Sequence, residues 1–170
     1  MTNRGVLLRL LMDELGVAPE LAAFSDRLRF QKGIYLLQRL GLRTEFSYNW
    51  YLRGPYSPSL TEAAFEEVVK PIAQGDRTHQ GYSLSAKTKR RVSLLKAMMG
   101  KCTTLEMSEE KWLELLASMA FYKHEMYFPP KSRRDDPDWL YDQFPPAKKR
   151  TFTREMAQEA ATLLRQNDLW

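Results

Sequence analysis

The sequence is poor in the residues that bind metals and form disulfides. It has a single cysteine, Cys102, and two histidines, His79 and His124, which lie far apart in the chain. A single cysteine excludes an intrachain disulfide, and the absence of paired Cys or His spacing argues against a zinc site. We therefore expect no metal site, no cofactor and an unreactive thiol.

Long apolar runs are also missing from the sequence. No stretch approaches the roughly 20 apolar residues that a membrane-spanning helix requires. The apolar run from Val6 to Met12 is interrupted by Arg9 and followed by acidic residues, which indicates an amphipathic helix and not a signal peptide. We expect a cytoplasmic protein with no membrane partner.

The common catalytic signatures are absent too. The chain has no G-x-G-x-x-G, no phosphate-binding loop and no G-x-S-x-G motif. The paired acids Glu66 and Glu67 would point about 100° apart on a helix, which is a poor geometry for general acid–base catalysis. We predict no catalytic residues and a protein that is not an enzyme. A hydrolase or nuclease assembled from distant residues stays open as a third class.

Apolar residues at helical spacing dominate what is present. Hydrophobic residues make up 44% of the chain, enough to form a core. Helices are predicted over 3–15, 25–40 and 59–70, with further helices starting near 86, 109 and 154. In the third of these, Phe65 is assigned to the buried apolar stripe. The predicted N-cap residues are Ser25 or Asp26, Ser57 or Ser59, Ser85, Ser108 and Thr153.

Three other segments have different patterns. Residues 44–53 alternate aromatic and polar side chains, which predicts a short strand that ends at Gly54-Pro55. The polar turn 75–81 and the extended piece that follows it resemble the wing of a winged helix-turn-helix. Five of the nine prolines lie between residues 125 and 151, which predicts a mostly irregular loop with a helical turn at 138–143.

Together these patterns predict a mainly α fold: a winged-helix-like helical core with a small β element and a C-terminal helical extension. The expected organisation is a core over 1–125, a Pro-rich loop over 126–152 and a C-terminal helix over 153–170 that packs on the core. The terminal Leu169-Trp170 is expected to dock on that core, with insertion into a partner as the alternative.

The net charge of +5 lies in the first part of the chain, where residues 1–100 carry 15 Lys and Arg against 9 Asp and Glu. Such an excess allows nucleic-acid binding without requiring it. The helix that would enter a DNA groove, residues 59–70, carries Glu62, Glu66 and Glu67, which phosphates would repel. Candidate nucleic-acid contacts, or simply a solvated surface, are Lys87, Lys89, Arg90, Arg91, Lys148, Lys149 and Arg150.

Two motifs resemble a known family. The first is Arg29-Phe30-Gln31-Lys32 followed by Tyr35-Leu36-Leu37-Gln38 and Gly41, and the second is Tyr51-Leu52-Arg53-Gly54-Pro55-Tyr56-Ser57 with Leu60. They are similar to the signatures of the YwgA-like bacterial and archaeal proteins, which resemble the SocA-like, or Panacea, antitoxin domains. The resemblance covers roughly residues 25–125.

The resemblance implies a helical domain that works by binding another protein, such as a toxin or a subunit of a phage-defence or mobile-element complex. The expected partner-binding residues are Gln31, Lys32, Tyr35, Arg53, Tyr56 and Ser57. The alternative for these residues is structural: Gln31 and Lys32 would satisfy buried carbonyls at the Gly-Pro turn, and Tyr56 would pack. The alternative function is a nucleic-acid-binding regulator or an accessory subunit of a nucleoprotein complex.

Overall fold

The protein is mainly helical, as predicted. The computed structural model describes residues 1–126 and 130–170, and describes only the backbone of 103–105 and 131. Short 3-10 turns lie at Thr78–Gly81, Gly100–Leu105 and Lys131–Arg133. The α-helices are α1 (Asn3–Leu15), α2 (Phe24–Arg39), α3 (Pro58–Ala64), α4 (Lys70–Ala73), α5 (Ala86–Met99), α6 (Glu109–His124), α7 (Pro137–Asp142), α8 (Pro146–Lys149) and α9 (Arg154–Gln166).

The small β element is a hairpin between α2 and α3. Strands β1 (Asn49–Tyr51) and β2 (Gly54–Tyr56) are antiparallel, with Asn49 opposite Tyr56 and Tyr51 opposite Gly54. The prediction that Gly54-Pro55 ends the strand is wrong, because Gly54 begins the second strand with a φ of +90°. Residues 82–84, predicted to be wing-like, are extended but form no strand in the described part of the chain.

Four helix starts carry the predicted side-chain caps. The hydroxyls of Ser57, Ser85, Ser108 and Thr153 each accept a bond from a backbone amide three residues later. Such caps satisfy first-turn N–H groups that have no partner inside the helix. Helix α2 departs from the prediction: it begins at Phe24, and its N-cap, Ala23, makes no side-chain bond. Ser25 and Asp26 lie inside its first turn.

A π-helical turn, Phe65–Val69, joins α3 to α4. The predicted helix therefore continues past its expected end, to Ala73. The wider π turn also rotates side chains away from their expected positions, and Phe65, predicted to be buried, is 36% exposed. This exposed ring bears on the site described below.

Helix α6 lies at the centre of the core. Every residue from Trp112 to Tyr122 is buried, and the helix contacts α2, α5, α7, α9 and β2. The Trp112 indole donates to the Met98 carbonyl at 2.9 Å, so its buried N–H group is satisfied. The hairpin lies between α2 and this central helix, because β2 contacts both.

The C-terminal region packs on this core. Helix α9 lies against α6 and α7, and Leu169 is buried. The Leu169 carbonyl bonds to the His124 Nε2 at 3.0 Å, and the Arg165 guanidinium lies 4.9 Å from the Trp170 ring centre. The predicted helical turn at 138–143 corresponds to α7, whereas α8 was not predicted.

None of the helices in the described ranges has both the length and the apolar composition needed to cross a bilayer.

Seating of the hairpin can be tested at Gly54. A Cβ added there would lie 2.6 Å from the buried Ser118 hydroxyl, whereas one added at Gly75, with a similar φ of +85°, would meet nothing within 4 Å. We expect Gly75→Ala to lower the free energy of unfolding by about 1–2 kcal/mol through backbone strain alone. Gly54→Ala should lose about 1–3 kcal/mol more through overpacking. Urea denaturation measures both, and equal losses would contradict the seating.

Candidate partner-binding site

A groove of about 390 Å³ opens between the hairpin, the start of α2 and the helix that begins with α3. Four of the six predicted partner-binding residues line it: Gln31, Lys32, Arg53 and Tyr56. Its apolar walls include Leu21, Leu28, Phe30 and Ala64. The two motifs that carry the family resemblance therefore meet at a concave surface. We refer to it as the hairpin groove.

The rim of the hairpin groove carries exposed apolar side chains. Phe24 is 56% exposed, Tyr51 59%, Leu52 81% and Phe65 36%. Only two other large apolar side chains in the described part of the chain, those of Tyr82 and Leu94, are similarly exposed. A clustered apolar surface of this kind is characteristic of protein–protein contact, whereas single exposed apolar residues are normal.

Gln31 joins the groove floor to the start of α3. Its amide Nε2 donates to the Ser57 carbonyl at 2.9 Å and to the Thr61 hydroxyl at 2.8 Å, and its Oε1 accepts from the Ser57 amide at 3.0 Å. One buried side chain thus satisfies both backbone groups of one residue. Ser57 is fully buried. The structure therefore removes Ser57 from the predicted contact surface and gives Gln31 the structural role considered above.

Lys32, on α2, contacts the second strand of the hairpin. Its buried ammonium donates to the Pro55 carbonyl at 2.5 Å. The pKa of Lys32 is lowered to about 7, chiefly by burial and also by the nearby Lys148 cation, while Glu114 opposes the shift. This contact also fits the structural role, because it satisfies a carbonyl of the Gly-Pro segment.

Glu114, on the central helix, is shared by two cations. Its Oε1 lies 2.6 Å from the Lys148 ammonium, and its Oε2 lies 3.4 Å from the Arg53 guanidinium. Lys148 is only 3% exposed, and its ammonium lies 5.3 Å from the Phe152 ring centre. Burial lowers the pKa of Lys148 despite this partner. Lys148 was predicted as a nucleic-acid contact; that prediction is wrong, since the side chain is inside the protein.

Arg53 and Tyr56 are the predicted residues that a partner can reach. The Arg53 side chain is 56% exposed, and its guanidinium lies 5.4 Å from the centre of the Phe24 ring. The Tyr56 hydroxyl is 2.9 Å from the Thr61 hydroxyl, and its ring lies 5.5 Å from that of Tyr51. Both side chains are held in place while keeping an accessible face.

Tyr35 does not belong to the groove. It is buried and packs edge-on against Tyr48, with ring centres 4.9 Å apart. Burial raises the pKa of Tyr35 well above its ordinary value. The prediction that Tyr35 contacts a partner is therefore wrong. Although Tyr35 lies one helical turn after Gln31, its side chain packs in the core and not against the hairpin.

The remaining basic candidates lie elsewhere on the surface. Lys87, Lys89 and Arg90 are exposed on α5, and Lys149 and Arg150 are exposed at α8. Arg91 donates through Nε to the Leu40 carbonyl at 2.8 Å, so it closes the end of α2. The two predicted basic runs are therefore shorter than the sequence indicated. A solvated surface remains an adequate interpretation of them.

Sequence reasoning missed most of the apolar rim. Phe65 was placed in a helical stripe and Leu52 in an alternating strand, whereas Phe24 received no predicted role. One signal was available: Leu52 lies next to Arg53-Gly54, so a hairpin turn there would have left it exposed. Arg27, which also lines the groove, was not among the candidate residues.

In the described ranges, no group of three or more His, Cys, Asp or Glu side chains could hold a metal ion. Comparison with known proteins found no matching family model, no matching curated protein and no matching solved structure.

The structural role of Gln31 predicts a stability effect. Gln31→Ala would leave the buried amide of Ser57 without its partner and remove one of the donors to the Ser57 carbonyl, at a cost of about 1–3 kcal/mol in the free energy of unfolding. Gln158→Ala removes an exposed bond to Asp138 and should cost less than about 0.5 kcal/mol. Urea denaturation of both variants checks this. A loss of stability in Gln31→Ala no larger than in Gln158→Ala would contradict this structural role of Gln31.

The lowered pKa of Lys32 predicts a pH dependence of stability. The unfolded chain holds the Lys32 proton up to about pH 10.5, whereas the folded protein releases it near pH 7. Between these values the unfolded state binds more protons, so the free energy of unfolding should rise with pH, by up to about 1.4 kcal/mol per pH unit. Lys148 acts in the same direction, and the buried tyrosines oppose it only above their ordinary pKa near 10.

Unfolding midpoints measured from pH 7 to 9.5 check this expectation. Lys32→Met should show a clearly smaller rise than the unaltered protein, since only the second lysine then contributes. Lys89→Met, at an exposed position, should keep the full rise. Parallel pH profiles for the unaltered protein and Lys32→Met would contradict the assignment.

Proposed function

We propose that this chain is a non-enzymatic protein-binding module that holds another protein in the hairpin groove. The observation that carries the proposal is the ring of exposed apolar side chains around a concave, internally braced site. The family resemblance of the two motifs supports a more specific form: an antitoxin-like protein or a component of a phage-defence or mobile-element system, with a toxin or a defence-complex subunit as partner.

The energetics of the rim support this reading. Full burial of a leucine or phenylalanine side chain contributes about 1.5–3 kcal/mol, and Leu52 has most of that gain still available. Binding energy at protein interfaces concentrates in a few such anchors around a central pocket. The two exposed apolar residues outside the groove, Tyr82 and Leu94, do not line this pocket.

The floor of the site is organised before any partner arrives. Gln31 holds Ser57, Lys32 holds Pro55, and Glu114 holds Arg53 against the central helix. A site whose groups are already ordered loses less conformational entropy on binding, so more of the contact energy appears as affinity. Bracing of this kind suits recognition of a defined partner surface.

A second candidate is a nucleic-acid-binding regulator or accessory subunit. It is favoured by the exposed basic side chains Lys87, Lys89 and Arg90 on α5. The helical segment 58–73 argues against groove reading, because Glu62 and Glu66 are exposed on it and Lys70 is paired with Glu66. This candidate requires binding that weakens steeply with salt.

A tagged pull-down from the native host, with and without nuclease, distinguishes the two candidate functions. The groove variants Phe24→Ser and Leu52→Ser are compared with the matched variants Tyr82→Ser and Leu94→Ser, which remove exposed apolar side chains elsewhere. We expect a stoichiometric protein that survives nuclease and whose affinity falls about tenfold or more in each groove variant. The matched variants should bind as the unaltered protein does, and all four should keep its melting temperature.

Other outcomes would reject the lead proposal. A partner that binds equally well to the groove and matched variants would remove the hairpin groove from the interface. Partners that disappear with nuclease, or bound nucleic acid alone, would favour the second candidate, and Lys87→Ala with Lys89→Ala should then abolish binding.

A further inference from the structure

We propose that the hairpin groove takes an acidic amphipathic segment of the partner protein, with apolar anchors on the groove walls and a carboxylate beside Arg27 and Arg53. This inference rests on the proposed protein-binding function and adds the chemistry of the bound segment. It follows from the charges of the lining, from their accessibility and from the shape of the rim.

The charged residues of the lining all have the same sign. They are Arg27, Lys32 and Arg53, and no Asp or Glu is among the described residues that line the groove. The rest of the lining is largely apolar, so a charge entering the groove loses water on several sides. Electrostatic complementarity under such conditions selects partners strongly, because a like charge would be both desolvated and repelled.

The carboxylate that contacts Arg53 does not cancel this charge. Glu114 lies behind the hairpin, where Lys148 occupies one of its oxygens at 2.6 Å and Arg53 approaches the other at 3.4 Å. Lys32 adds a further basic group to the same cluster. Three basic side chains therefore share one carboxylate. Arg53, the most exposed of the three, has capacity for a second anionic partner.

Arg27 provides a second guanidinium at the same edge. Its Nη1 donates to the Leu21 carbonyl at 2.8 Å and to the Ala22 carbonyl at 2.5 Å, which holds the side chain in position. Among the residues that the structure describes, the other guanidinium N–H donors of Arg27 have no recorded partner, so they can take a ligand. Phe24 lies one helical turn before Arg27 and within 5.4 Å of the Arg53 guanidinium. The exposed Phe24 ring thus lies beside Arg53 and lines the same groove as Arg27.

The rim favours a protein segment over other anionic ligands. Leu52, at the hairpin tip, is 81% exposed and Tyr51 is 59% exposed, so the apolar surface extends beyond the cavity that a small carboxylate would fill. The walls combine the aliphatic Leu21, Leu28 and Ala64 with the ring of Phe30, a lining that suits leucine-like or aromatic anchors. An acidic amphipathic segment satisfies both the walls and the arginines.

A random peptide library displayed on phage tests the proposal with the full chain. Peptides are kept only if they bind the unaltered protein and fail to bind Leu52→Ser, so that every retained peptide uses the groove. We expect them to combine large apolar residues with Asp or Glu. Replacing the acids of the best peptide by Asn or Gln should weaken binding by about tenfold or more, the scale of a charge-assisted bond.

A charge reversal provides the matched control. Selection on the double variant Arg27→Glu with Arg53→Glu should favour peptides that carry Lys or Arg in place of acids. Arg90→Glu, which reverses an exposed charge on α5, should keep the acidic preference.

The outcomes separate this inference from the function on which it rests. Peptides that depend on Leu52 but are neutral or basic would overturn the acidic segment while leaving the protein-binding function in place. The absence of any peptide that depends on Leu52 would count against both. Displacement of the acidic peptides by a single-stranded oligothymidylate whose binding also requires Leu52 would assign the groove to nucleic acid and overturn the inference.

Discussion

The contact between the Gln31 amide and the backbone of Ser57 connects the two halves of the groove. The amide is buried, and it gives the Ser57 N–H group its partner and adds a donor to the Ser57 carbonyl, which also accepts from the Thr61 amide. Because Ser57 also caps α3, the same contact sets where that helix begins and how β2 enters it. Lys32 and Glu114 then brace the hairpin against α2 and the central helix. The polar contacts of Gln31, Lys32 and Glu114 hold the hairpin in this position, and the groove forms beside it.

Bracing residues and accessible residues lie side by side in the two motifs. Gln31, Lys32 and Ser57 are buried and hold backbone groups, so they form a scaffold. The accessible groups beside them are Arg53, Tyr51 and Leu52, and these are what a partner would contact. The segment Tyr51-Leu52-Arg53-Gly54-Pro55 therefore combines, within one hairpin, a glycine that allows the turn and an exposed tip that the proposed partner would contact.

Much of the fold could be predicted from the sequence. Helical spacing and short polar caps placed α1, α5, α6 and α9 well, because both signals are local. The failures came from tertiary effects. The start of α2 has no side-chain cap, the π turn rotated Phe65 outward, and Tyr35 turned into the core. Lys148 looked like a surface base, but its ammonium is compensated by Glu114, which lies in a different part of the chain. A local sequence pattern cannot predict an ion pair between two residues so far apart in the chain.

The candidate site follows the same division. Its polar floor was predicted, since the two motifs named Gln31, Lys32 and the Gly-Pro turn as neighbours. Its apolar rim was not, because exposure depends on how the hairpin and the π turn are packed. The charge of the groove is also a packing result: Arg27 and Arg53 are far apart in sequence and line one groove only in the folded chain. Glu114 contacts Arg53 from behind the hairpin, and the Arg27 and Arg53 side chains stay exposed at the opening. A partner segment with apolar anchors and acidic side chains would cover the exposed apolar rim and pair with the two arginines.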